Sequence, residues 1–428
     1  MTSSHFKPDR LTWAVLVVLA ISLALRLLYA SGVDVDLHSD MATYQKRALL
    51  FLSTGSFTEA VPSHYFAESV YRLPFYPLFI AAIYKLFGTA PMAVYIIQAF
   101  IGTLLLWGIY LLTSASFNNR LAGLCALIGS ALYTPLIGYC GILLTETLFM
   151  TLAIFGFYGV FKSLTTSNLR WMVMAGVLFG LASLTRSIIF PIPFLLALWM
   201  LLFWKKLQPT PSTSISKPLQ HSAVLLATTL LVISPWSIRN YIEYKQFIPL
   251  DSLTGLNLVI GNNDRATGGF TPRYSKSPQY QRAKAQSKTL PQLDKNLKAE
   301  MLQWIKDNPQ RYTALTLKRL KKYFSAEYDG YSKSYEWDRI FFHHNGVMQV
   351  YRMVMQCIAL TALAAGIVRL SPWIILLGGT SVYFYLVPAL FYYHARYRLP
   401  GVPFVMILAG LTLAWVWQVL IKPRLKTA

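Results

Sequence analysis

Asp40, in the segment Asp36-Leu-His-Ser-Asp-Met-Ala-Thr-Tyr44, follows the first long apolar stretch of the chain. A carboxylate there has the right chemistry to take a proton from a hydroxyl as that hydroxyl attacks an electrophilic carbon. It is also suited to capping the helix that follows, since Asp is a preferred N-cap, and the two roles are compatible. Asp34 and Asp36 read as solvated loop acids. Glu146 opens another apolar stretch. It is either a first-turn acid favoured by the helix dipole or an acid at membrane depth that holds a cation or a sugar. Arg186 closes an apolar stretch, where the dipole favours a cation, and its charge would also serve to hold an anion. His394, Arg396 and Arg398 stand together between two late apolar stretches. Their alternation would turn one Arg into a cavity and the other to lipid headgroups. With Arg186 they form a candidate anion clamp, and Arg72 is a further candidate. Arg239, in the motif Trp236–Asn240, reads as a structural tie.

Other chemistries find little support. Cys125, Cys140 and Cys357 are too few and too scattered for a disulfide framework or a zinc site. His343-His344 lacks the i, i+4 spacing of a helical metal pair, so no metal site is expected and no cofactor is called for. The glycine-rich stretch Gly255 to Gly269 has no Gly-Lys-Ser/Thr after it and no strand–helix context, so it is not a nucleotide loop. It reads as a tight loop over a cavity, with Asn262, Asn263 and Asp264 either as plain turn residues or as sugar contacts.

The elements that must position these groups are membrane helices. Of 428 residues, 55% are hydrophobic and only 13% charged, against about 25% charged in soluble proteins. The mean hydropathy is +0.45. Spans are expected near 11–30, 91–113, 121–138, 141–161, 171–185, 188–204, 221–238, 347–369, 372–391 and 400–420, an all-α polytopic membrane protein of about ten to eleven transmembrane helices. The net charge of +22 suits phospholipid partners, and its even spread along the chain argues against nucleic acid. Lys7 and Arg10, Arg120, Lys162 and Arg170, Lys205 and Lys206, Arg369, and Lys422 with Arg424 then share one side, the cytoplasm.

On this assignment 31–90 and 239–346 face outward. The chain divides into a membrane module 1–240 with its first outer loop 31–90, an outer subdomain 241–346 and C-terminal helices 347–428. Leu73 to Gly88 reads as a juxtamembrane or partly inserted helix. Met41 to Ser53 reads as an interfacial helix with Gln45, Lys46 and Arg47 turned away from its apolar face. Leu290 to Lys306 and Pro309 to Phe324 are further helices, divided by Asn308-Pro309, and the second is expected on the outer membrane surface.

Several motifs carry a resemblance. Asp40 with Tyr44, Tyr71-Arg-Leu-Pro-Phe-Tyr-Pro-Leu-Phe79 and Tyr84-Lys-Leu-Phe-Gly88 are similar to the first outer loop of GT-C glycosyltransferases. Leu144-Thr-Glu-Thr-Leu148, Leu184-Thr-Arg-Ser187, Pro235-Trp-Ser-Ile-Arg-Asn240, Gly255–Asn263, Ala266–Gly269 and Ala395-Arg-Tyr-Arg-Leu-Pro400 continue it in order over nearly the whole chain. The group it most resembles is the family 39 and protein-mannosyltransferase-like enzymes, with lipid A aminoarabinose transferases as relatives.

The resemblance implies inverting transfer of a sugar from a polyprenyl-phosphate donor to a hydroxyl of an envelope glycan, lipid or protein. The setting would be the outer (periplasmic) face of a bacterial inner membrane. Asp40 is then the catalytic base. Arg186, Arg396, Arg398, Glu146, Tyr44, Arg72, His394, Asn262 and Asn263 are candidates for the donor phosphate or the sugar. Relatives often carry a second acid before the Pro-rich motif; here Tyr71 stands there, and the nearest acid is Glu68, a departure that tells against a two-acid or metal-bridged site. The rival class is a transporter or lipid flippase. Many secondary transporters show internal repeats; this chain shows none.

Overall fold

In a computed structural model of the chain, the structure describes residues 9–32, 37–57, 69–207, 215–324 and 346–422. Asp34, Asp36, Glu68, His343 and His344 lie outside them.

Eight helices are long and apolar enough to cross a membrane: Arg10–Gly32, Pro91–Ser116, Glu146–Thr166, Ser187–Leu207, Ser216–Tyr244, Val350–Val368, Pro372–Ala389 and Ala395–Ile421. The first has 23 residues, about 34 Å at 1.5 Å per residue, against a hydrocarbon core of about 30 Å. Asp9 starts it, accepting from the backbone N–H of Thr12 at 2.8 Å, and ties it to Arg120 at 2.8 Å. Two shorter apolar helices, Arg120–Leu132 and Leu169–Ser183, stand where the other two of the ten spans are expected, and at 13 and 15 residues they fall short of a full crossing. Glycine lets the second approach its neighbour closely. A Cβ at Gly176 would lie 2.9 Å from the Leu225 carbonyl oxygen and 2.7 Å from Thr228 Cβ. One span boundary moves: the helix after Arg120 breaks at Tyr133, and the next begins at Glu146 rather than near 141, because the intervening Pro135–Gly138 turn is separate.

Between the first two long apolar helices lie two shorter ones, Ser39–Thr54 and Phe75–Phe87. The second has 13 residues, about 20 Å, too short to cross alone. The two pack through Met41, Tyr44, Ala48, Tyr76, Ile80 and Tyr84. Arg47, expected on the polar face, is instead 5% exposed. Its guanidinium donates to the carbonyl of Phe57 at 3.1 Å, a backbone acceptor that sequence periodicity does not reveal.

The described residues after Tyr244 and up to Phe324 are largely helical, including Leu290–Asp307 and Pro309–Phe324 as expected. The glycine-rich stretch is not a loop throughout: Thr254–Gly261 is a helix. Asp294 accounts for it by accepting from the backbone N–H groups of Gly255 and Leu256 at 2.7 and 3.1 Å, satisfying donors that a helix start leaves free. Arg319 then clips this helix end to the last spans. It donates to Asn262 Oδ1 at 2.9 Å, Ala389 O at 3.0 Å and Gly268 O at 3.3 Å, and to the carbonyl of Gly261. Among the described residues no strand forms; Gly269 and Tyr393 share one isolated bridge.

Candidate active site

Asp40 sits in the first turn of Ser39–Thr54, one residue inside it, while His38 holds the N-cap position without a side-chain cap bond. The carboxylate therefore does not cap the helix in the expected way. It faces two arginines. Arg72 binds Oδ1, and Arg396 Nη2 binds Oδ2 at 2.5 Å. Arg396 lies 356 residues away in sequence, on the 3-10 segment Ala395–Gly401. Burial would raise the Asp40 carboxyl, but the charges of Arg72 and Arg396, with His394 beyond them, hold it well below the usual carboxylate range. A carboxylate offers about four lone-pair sites, and two are taken, so each oxygen keeps one for a substrate hydroxyl.

Glu146 forms the second half of the cluster. It is completely buried at the start of its span, and Arg186 Nη1 binds its Oε1 at 2.5 Å. The same nitrogen reaches Thr145 Oγ1 at 3.0 Å. Arg396 Nε lies 4.0 Å from Glu146 Oε1, so one guanidinium joins the two carboxylates. Three arginines against two carboxylates leave one positive charge. A buried ion pair yields little stability once desolvation is counted, so a charged group of this size is better read as a site than as a brace.

Tyrosines and an amide shape the floor. The Arg72 guanidinium lies 4.3 Å from the Tyr71 ring centroid and 5.4 Å from that of Tyr44. Tyr44 meets Tyr76 edge-on at 5.0 Å. Tyr76 donates to Gln98 Oε1 at 2.8 Å, and Gln98 donates to the carbonyls of Cys140 and Ile142 at 2.9 and 2.8 Å. That chain fixes the turn before Glu146 against the helix that carries Asp40. Sequence reading missed Gln98, although an amide inside an apolar span is itself a signal.

The other candidates divide. His394 accepts from the backbone N–H of Arg396 at 3.3 Å and so orients that arginine. Arg398 is buried elsewhere, with Nη1 3.4 Å from the Tyr393 hydroxyl; it joins neither Asp40 nor Glu146 and does not snorkel to headgroups. Asn262 and Asn263 are 0% and 1% exposed. Their amides bond the carbonyls of Leu258 and Val259 at 3.1 and 2.8 Å, and Asn263 also accepts from the Arg265 N–H at 2.8 Å. Their polar atoms are committed to the fold, which corrects the expectation of sugar contacts. Arg239 pairs with Glu243 and stands 5.1 Å from the Trp236 ring, as a tie within its helix. Among the described residues, no group of three or more His, Cys, Asp or Glu stands together as a metal site would need.

An apolar cavity of about 380 Å³ opens between Ser187–Leu207 and Pro372–Ala389, lined by Leu195, Trp199, Gly379 and Leu386 among others and by none of the cluster's residues. Tyr383, also on its wall, donates to the carbonyl of Ile188 at 2.7 Å, two residues past Arg186.

Residues 72–238 match the family model described as dolichyl-phosphate-mannose-protein mannosyltransferase. No curated protein matches the chain by sequence. Among solved structures, the Archaeoglobus fulgidus oligosaccharyltransferase in its apo form aligns at TM-score 0.62 and 14% identity, over 99% of this chain and 52% of that one. The same organism's oligosaccharyltransferase AglB, in complex with an inhibitory peptide and a dolichol-phosphate, aligns at 0.60 and 15%, with the same coverage. The chain spans about half the length of these neighbours. ArnT from Cupriavidus metallidurans bound to undecaprenyl phosphate aligns at 0.44 and 16%, over 94% and 78%. The fold is that of GT-C polytopic membrane proteins.

Proposed function

We propose that this chain, a multi-pass membrane protein of the GT-C fold, is a glycosyltransferase. Its donor is a polyprenyl-phosphate-linked sugar, and its acceptor a hydroxyl of an envelope glycan, lipid or protein. The observation that carries this reading is the Asp40 carboxylate held between Arg72 and Arg396, in a cluster with one surplus positive charge. The match of residues 72–238 to the dolichyl-phosphate-mannose-protein mannosyltransferase model supports the donor class. So does the dolichol-phosphate in the complex of the structural neighbour AglB.

The chemistry is a single displacement. The acceptor oxygen bonds to the anomeric carbon, the bond from that carbon to the phosphate oxygen breaks, and prenyl phosphate leaves with the bonding pair. One displacement at that carbon inverts it. Asp40 takes the hydroxyl proton as the oxygen gains its new bond; a carboxylate is a weak base at rest, but the hydroxyl becomes acidic as it attacks. Arg186 and Arg396 meet the charge that develops on the phosphate. A phosphate is a fair leaving group, so position and countercharge carry much of the barrier. A flippase would need no base beside the cations, which favours transfer over transport.

The active face is the outer side of a bacterial inner membrane, because the lysines and arginines of the short connections between spans gather on the opposite side, long loops carrying no weight in that bias. The module 1–240, the outer subdomain 241–346 and the helices 347–428 are the working parts. A mass-spectrometric comparison of envelope glycans tests the reading in cells lacking the gene and in cells carrying Asp40→Asn. A sugar lost in both supports it; glycans unchanged by either contradict it.

A further inference from the structure

Asp251 lies just outside the five-residue cluster, in a segment that is pinned from several directions. Trp236 Nε1 donates to the carbonyl of Leu250 at 2.8 Å, Ser237 Oγ to that of Pro249 at 2.8 Å, and Asn240 Nδ2 to that of Ile248 at 3.1 Å. The backbone N–H of Ser252 reaches the carbonyl of Val70 at 3.3 Å, two residues before Arg72. So fixed, Asp251 accepts through Oδ2 from Ser187 Oγ at 2.9 Å. Ser187 is the residue after Arg186 and begins the 3-10 turn for which Arg186 is the N-cap position. Neither Asp251 nor Ser187 stands out in the sequence, since Asp251 falls in a short polar connection.

We propose that Asp251 is a third carboxylate of the site. It is a positioning residue that holds Ser187, and with it the turn of Arg186, and its charge sets how strongly the arginine cluster attracts an anion. The proposal rests on the donor reading above and adds a control to it. With Asp251 ionised, a third carboxylate within the field of Arg72 offsets the surplus charge of the cluster. With Asp251 neutral, one positive charge is left for a phosphate.

Asp251 is poised to move between these states. Burial pushes its carboxyl up from an ordinary 3.8 to about 6, with the Ser187 bond opposing and Asp294 reinforcing the rise, and Arg72 favouring the charged form. The other charges packed around it are accounted for. Asp294 bonds the helix start at Gly255 and lies near Lys298, Arg239 is paired with Glu243, and Arg186 with Glu146. His394 faces Asp40 across the cluster, and a histidine ordinarily titrates near the same pH.

The test is binding of a prenyl phosphodiester, singly charged throughout this range, to the purified protein in detergent between pH 5 and pH 7.5. Wild type should bind on the order of tenfold more tightly at pH 5, the effect of one charge nearby in a partly buried site. Asp251→Asn keeps an acceptor for Ser187 and should bind at pH 7.5 nearly as wild type does at pH 5, and with His394→Gln beside it should show no pH dependence. The series is repeated in a His394→Gln background to remove the histidine's own titration. Asp251→Asn that keeps the wild-type pH dependence overturns the proposal, as does a wild type with none. A parallel series uses sulfate, whose charge is constant here, as a probe of the arginines alone. Sulfate binding with this pH dependence, but no phosphodiester binding, would sink the donor reading and leave Asp251 in its role. A site that binds neither probe overturns both.

Discussion

Two arginines, Arg396 and Arg319, are both withdrawn from water, yet they do opposite work. Arg319 spends its guanidinium on neutral acceptors, four carbonyls and the Asn262 amide oxygen. With no carboxylate beside it, burial pulls it down to about 10. Its bonds join one helix end, one loop and the last spans, and nothing is left over for a ligand. Arg396 meets two carboxylates, Asp40 and Glu146, and forms part of a cluster in which positive charge exceeds negative. A guanidinium saturated by carbonyls braces a junction; one that shares carboxylates with other guanidiniums keeps an electrostatic field in place, at a cost in desolvation that packing alone would not justify.

Substitutions can break that comparison. The largest effect falls on the carboxylate between the arginines. Asp40→Asn keeps the side-chain shape and loses the base, so transfer should fall on the order of 10²-fold or more, measured as turnover per mole of monodisperse protein. Near-normal turnover would reduce Asp40 to an anchor for Arg72 and Arg396. Next comes Arg396 itself. Arg396→Gln should weaken donor binding by about 1.5–3 kcal/mol, the value of a charged hydrogen bond. Arg396→Lys should also weaken it, because Lys keeps charge and loses the planar fork. Arg398→Gln, whose guanidinium meets Tyr393 instead, should change donor binding less than either; an equal loss would place both arginines on the phosphate.

The smallest effect on chemistry belongs to Arg319. Arg319→Gln strands buried carbonyls, at about 1–3 kcal/mol for each acceptor left without a partner. It should lower the melting temperature in detergent while turnover per folded molecule stays near wild type. A stable protein with impaired turnover would make Arg319 part of the site.

The membrane helices were legible because apolar length is a local property, and Asn308-Pro309 marked its helix boundary for the same reason. Asp40, Glu146 and Arg186 stood out as charges beside apolar spans. What sequence could not supply was pairing across distance. Asp40 and Arg396 meet over 356 residues, and alternation alone did not say which of Arg396 and Arg398 would turn toward Asp40. The 3-10 turn Ala395–Gly401 decides it. Asn262 and Asn263 looked available because polar residues near glycines suggest a loop; the helix at Thr254–Gly261 and the carbonyls around it used their amides instead. Asp251 was illegible for a similar reason, since its importance comes from Ser187, 64 residues earlier.

The central claim is that the cluster around Asp40 breaks a glycosyl–phosphate bond rather than merely holding or moving a lipid. The most direct measurement is the appearance of free prenyl phosphate when the purified protein meets a polyprenyl-phosphate sugar together with an envelope extract as the source of acceptor. The account predicts prenyl phosphate released in step with sugar gained by the extract, and neither with Asp40→Asn. Donor that is bound, or carried across a vesicle membrane, with its glycosyl–phosphate bond intact throughout would contradict it.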